Sequence, residues 1–219
     1  MKTLRRTLVL LAALTGVGTA AGYAATLPVG SLHLWGGAQT LTKGTCTLSG
    51  STQTSDTYVQ QDHATTSSGS ATTMNVQSAS GKLHAVFVSF DLSSCNLPAT
   101  GGADSATLSL RLTTHPVQNR VLTVTPVTSQ WTESLTWTDA VGLGYGATTT
   151  TVETGTKNNV TLAIPVTVDV DAKIKSSSAN YGWAIDDLGA VSGTQTSTFA
   201  SSENGTSANR PTLTINYEK

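Results

Sequence analysis

Charge is scarce in this sequence: Asp, Glu, Lys and Arg together supply 11% of 219 residues. With no basic run among them, the electrostatic footprint of a nucleic-acid binder is excluded. Cysteine is scarcer still. Cys46 and Cys95 are too few for a thiolate metal cluster, and His33, His63, His84 and His115 are scattered rather than set at zinc-ligand spacing. The signatures GxSxG and HExxH are absent, and no Cys–His arrangement suggests a thiol nucleophile. The apolar stretch from Leu8 to about Val17 is too short to span a bilayer.

What fills the chain instead is Ser, Thr, Val and Gly. ATTSSGSATT and SSSAN are polar clusters, but between them apolar and polar residues alternate repeatedly, which a disordered stalk would not show. Residues 1–24 read as a secretory signal: Lys2, Arg5 and Arg6 lead, an apolar stretch follows, and Gly22-Tyr23-Ala24 offers a cleavage site after Ala24. Its removal takes three positive charges from 12 and leaves nine against 13 acids, about −4. A secreted protein with no membrane association after leader removal is therefore expected. In an oxidising compartment, Cys46 and Cys95 are expected to form one disulfide, worth roughly 4 kcal/mol as a constraint on the unfolded chain.

Strand signals recur every ten to fifteen residues. They are DTYVQ (56–60), TTMNVQS (72–78), LHAVFVSFDL (83–92), ATLSLRLTT (106–114) and VLTVTPV (121–127), then VTLAIPVTVDV (160–170), NYGWAI (180–185), STFASSE (197–203) and PTLTINY (211–217). In the fourth, Ala106, Leu108, Leu110 and Leu112 face one way. VLTVTPV is expected to pair with that strand across the HPVQNR turn. Leu162, Ile164, Val166 and Val168 are expected on one strand face, and a helical turn only within DAKIKSSS (171–178). The pattern predicts an all-β fold, a jelly-roll or Greek-key sandwich of two antiparallel sheets. Residues 25–54 are Gly-rich and are expected to form an arm or extra strand tied down by Cys46. Residues 55–219 would be the sandwich.

Leu97-Pro98-Ala99-Thr100-Gly101 spells a sortase sorting pattern. More than a hundred residues follow it, carrying further strands, so cleavage there would destroy the sandwich; the stretch reads as a turn. Several pieces in order carry a more extensive likeness: DTYV (56–59), FVSFDLSS (87–94), SATLSLRL (105–112), VTSQWTESLTW (127–137), NYGWAI (180–185), FASSE (199–203) and RPTLTINY (210–217). In these the chain resembles the DNRLRE-type domain, carbohydrate-binding module family 96, over residues 55–219. The resemblance implies a non-catalytic jelly-roll module that attaches to polysaccharide, with a co-secreted enzyme or surface protein as a further partner. Some members bind acidic glycans. This chain departs from them in carrying Ser89 where a basic residue is common, and carboxylated sugars want Arg or Lys partners.

Flat rings bind sugars by covering the apolar face of a pyranose. Trp183, after Tyr181-Gly182, is the leading stacking candidate, with Tyr181 beside it. Trp131 and Trp137 bracket a turn and either plug the end of the sandwich or present rings to a ligand. Trp35 lies in the Gly-rich arm, where it either covers an edge strand or is free. Asp169 and Asp171, two apart on a strand, would share a side; with Asp56 and Glu203 they are candidates for a structural calcium site, or else solvated strand-end acids. No cofactor is required. Glu133, Asp139, Asp186 and Asp187 are further acids, but nothing in the sequence sets two of them across a cleft as a glycosidase needs. The expected function is a secreted, non-catalytic carbohydrate-binding module. The alternative is a structural or adhesive surface protein that uses its Thr-rich faces for protein contacts.

Overall fold

The structure, a computed structural model, describes residues 42–97, 101–176, 180–189 and 193–218. The expected leader, Trp35 and the Pro98-Ala99-Thr100 core of the sortase-like pattern lie outside these. Strands form where polar and apolar side chains alternate. In chain order they are β1 (Lys43–Ser49), β2 (Thr54–Gln60), β3 (Thr73–Ser78), β4 (His84–Phe90), β5 (Ala103–Thr114) and β6 (Val121–Pro126). There follow α1 (Trp137–Ala140), β7 (Thr150–Glu153), β8 (Val160–Pro165), α2 (Thr167–Ser176), β9 (Trp183–Asp186), β10 (Gln195–Ala200) and β11 (Thr212–Glu218).

Pairing is antiparallel throughout the described strands and follows the order β1-β11-β5-β10-β3-β4-β9-β6-β7, with β2 added to β4 and β8 to β5. The two sheets expected are therefore one sheet, curled so that its halves face each other. β3 and β4 join the halves at a single residue pair, Gln77 with His84. Between the halves lies the core. β5 gives it Ala106, Leu108, Leu110 and Leu112, as the alternation predicts, and the opposite half gives Val86, Val88, Leu122, Val124, Trp183 and Ile185. Each Val, Leu and Ile among them stabilises the fold by about 1.5–3 kcal/mol relative to exposure. Cys46 on β1 and Cys95 beyond β4 form the expected disulfide, tying the two halves together.

Three expectations need correction. β6 does not pair with β5; it lies between β9 and β7 in the opposite half. The HPVQNR connection crosses instead of turning back, held by the Gln118 amide donating to Gln195 Oε1 at 3.0 Å and the Arg120 amide to Thr154 Oγ1 at 2.9 Å. The stretch 160–170 is not one strand. β8 stops at Pro165, whose nitrogen can donate no ladder bond, and α2 begins at Thr167. Val166 is buried but Val168 is 70% exposed, because the helical period turns it away. For the same reason Asp169 and Asp171 do not share a side. β7 carries too few apolar residues to have been expected; it is held by its pairing with β6.

Candidate functional site

One half of the sheet carries a covering on its outer face. β2, β4 and β9 turn Val59, Phe87 and Ala184 outward, and the segment 127–145 folds back over them with Val127, Leu135 and Ala140 in a second, smaller core. The segment is closed at its base: the Val127 amide donates to Gly182 O at 2.9 Å, Thr128 to Gly144 O at 2.9 Å, and Gly146 to Pro126 O at 2.8 Å. Within it, α1 starts at a capping box in which Thr136 and Asp139 serve each other's main chain. Thr138 ties the helix to the turn after β2, its amide and hydroxyl both donating to Ala64 O.

Trp131 pins this cap. Its ring meets Phe87 edge-on with centroids 5.7 Å apart, and its Nε1 donates to Tyr181 O at 2.7 Å. Trp131 and Tyr181 are half-buried and packed against the second core. Trp183, the leading stacking candidate from sequence, is 1% exposed. It points into the main core, and its Nε1 donates to Asp169 Oδ2 at 2.9 Å. Its ring has no free face to offer a sugar, because β9 alternates and Trp183 falls on the inward side with Ile185.

The cap does not cover the whole outer face. Beside α1 a cleft of about 270 Å³ remains, lined by Trp137, Tyr145, His84, Ala85, Phe87 and Asp186 among others. Trp137 is half-buried and Tyr145 is 43% exposed. The Tyr145 hydroxyl donates to Ala140 O at 2.8 Å, which fixes the angle of its ring. A ring held in advance loses little freedom on binding. The cleft lies just below the roughly 300–1,000 Å³ range of sites that enclose whole ligands.

Electrostatically the cleft is acidic. Asp186 is pushed up to about 6, by burial first and then by the charge of Asp187, and its Oδ1 is buried without a hydrogen-bond partner. Burial and the Asp186 charge also raise the Tyr145 hydroxyl. Asp187 is neutralised from behind: Arg120 Nε and Nη2 donate to its two oxygens at 2.7 and 2.8 Å. His84 Nε2 bonds Asp62 Oδ1 at 3.2 Å, while burial holds the imidazole below its usual range. No Lys or Arg is among the described residues lining the cleft.

Of the residues singled out in the sequence, then, the cleft takes Trp137 and uses Trp131 and Tyr181 as supports. Tyr145 was missed; a lone aromatic between two glycines, Gly144 and Gly146, was its only signal. The four calcium candidates are split. Asp169 accepts from Trp183 and from Thr148 Oγ1, and Asp171 accepts from Lys175 Nζ at 2.7 Å and the Ala103 amide at 3.1 Å. Asp56 and Glu203 stand apart from these, close to each other and to Glu133. Among the described residues no three His, Cys, Asp or Glu side chains are near enough to enclose a metal ion by themselves, and no helix is long and apolar enough to cross a membrane.

No protein of curated function matches the chain. A family does: the profile of carbohydrate-binding module family 96 matches residues 47–217, from within β1 to within β11 and across the whole cap, and the chain belongs to that family.

Proposed function

We propose that this carbohydrate-binding module is exported, is non-catalytic, and holds polysaccharide in the cleft between the cap and the outer face of the sheet. The observation that carries the reading is that the half-buried Trp137 ring, the Tyr145 ring held by Ala140 O, and the partnerless Asp186 oxygen share one cleft. The rings would cover the apolar face of a sugar, and the carboxylate would accept from its hydroxyls or from an amino group. An acidic cleft without Lys or Arg favours neutral or amino sugars over carboxylated ones. Export is supported by the leader-like first 24 residues and by the Cys46–Cys95 disulfide, which persists in oxidising compartments. A co-secreted polysaccharide-acting enzyme or a surface protein is the expected companion.

The test is a glycan array followed by affinity electrophoresis on the best hit. Trp137→Ala should lose retention by about thirtyfold or more while melting near the wild-type temperature. An array blank for neutral and amino-sugar polymers would overturn the reading. Val141 and Leu188, each 71% exposed near the mouth of the cleft, give specific support to the adhesive alternative. That alternative predicts self-association, read by sedimentation, that Leu188→Ser abolishes, and no retention on any glycan.

A further inference from the structure

At the far side of the cap, three chain segments bring carboxylates together. Asp56 comes from β2, Glu133 from the cap beside Trp131, and Glu203 from the turn after β10. Asp56 is 0% exposed. Its Oδ2 accepts from the Ser202 amide at 2.7 Å, and its Oδ1 has no hydrogen-bond partner. Glu203 repeats the pattern: one oxygen accepts from the Ser202 hydroxyl at 2.6 Å, and the buried Oε2 has no partner. Burial and then the charge of Glu203 raise the Glu133 carboxyl. Gly69 seals this corner, so close that a Cβ there would lie 2.4 Å from Glu133 O.

None of the three acids is in an ion pair with Lys, Arg or His among the described residues. Buried carboxylates without a base are costly unless a proton or a metal cation neutralises them. Donors that are all oxygen select a hard cation. With only two carboxylate oxygens buried and partnerless, the rest of the shell must come from main-chain carbonyls and water, which the irregular six- to eight-oxygen sphere of calcium tolerates better than the rigid octahedron of magnesium. We propose that Asp56 and Glu203, joined through Ser202, bind a divalent cation of the calcium class, which fastens β2 to the turn after β10.

The proposal is independent of the sugar cleft and is read without glycan, as thermal unfolding of the disulfide-intact chain at pH 7.5. Addition of CaCl2 after EDTA treatment should raise the wild-type melting temperature by on the order of 5–10 °C at a hundredfold excess over Kd, and EDTA should reverse it. Asp56→Asn and Glu203→Gln should lose the response while remaining folded in EDTA by circular dichroism, and the surface change Asp104→Asn should keep it. Where Asp56→Asn fails to fold, Glu203→Gln decides, since its side chain is only half-buried. A wild-type melt indifferent to millimolar calcium overturns the proposal, as does an undiminished response in the carboxylate variants.

Discussion

Trp183 and Trp137 show how little residue type alone says about role. Trp183 fills the main core, so Trp183→Ala should cost about 3–5 kcal/mol of stability, visible as a lower denaturant midpoint whatever the ligand does. Trp137 stands at the cleft, and its truncation should cost binding and little stability. Asp186 supplies the pH dependence at this scale. Its carboxyl, raised to about 6, is charged at neutral pH and takes up a proton as the pH falls through 6. Retention on a sugar that donates to the carboxylate should therefore hold from pH 8 to 7 and weaken below about 6. Asp186→Asn should flatten that profile in affinity gels run across the range.

Between elements, the contacts that hold the site lie at strand ends. Arg120 immediately precedes β6 and Asp187 immediately follows β9, so their two-pronged ion pair clamps the adjoining ends of neighbouring strands beneath the cleft. Asp187 is almost wholly buried, and Asp187→Ala would leave the guanidinium beside an apolar gap. The expected loss is about 3 kcal/mol by chemical denaturation. Gly182 works similarly as a joint between Tyr181 and β9. Its φ is +71°, and a Cβ would fall 1.9 Å from Val88 O. Only glycine lets the chain turn Tyr181 toward the cap and Trp183 into the core in consecutive steps.

Across the whole molecule, stability should depend on pH through Asp56. An acid whose folded pKa lies above its unfolded value of 3.8 contributes fully below that value, and the contribution is lost as pH rises through about 7. Glu203 and Glu133 face it and are the groups that sharpen the loss. In EDTA, the melting temperature of Asp56→Asn minus that of wild type should therefore be small near pH 4 and largest above pH 7. Reduction of Cys46–Cys95 removes the covalent link between the halves of the curled sheet and should lower stability by roughly 4 kcal/mol, measured by urea unfolding with and without reductant.

The amino-acid sequence by itself determined the all-β class, most strand positions, the disulfide partners and the family, because these follow from local alternation, cysteine count and ordered motifs. Ala106, Leu108, Leu110 and Leu112 needed nothing more than their period of two. Alternation, however, reports only that a strand has two unlike faces. Which face is covered, and by what, depends on chain segments far away in sequence. Tertiary structure therefore decided that Trp183 lies in the core and Trp137 lines the cleft, that the stretch after Pro165 coils into α2, and that Asp56, Glu133 and Glu203 come near one another. Residues 77 and 147 positions apart in sequence share one corner only because a curled sheet brings their strands and loops to the same end.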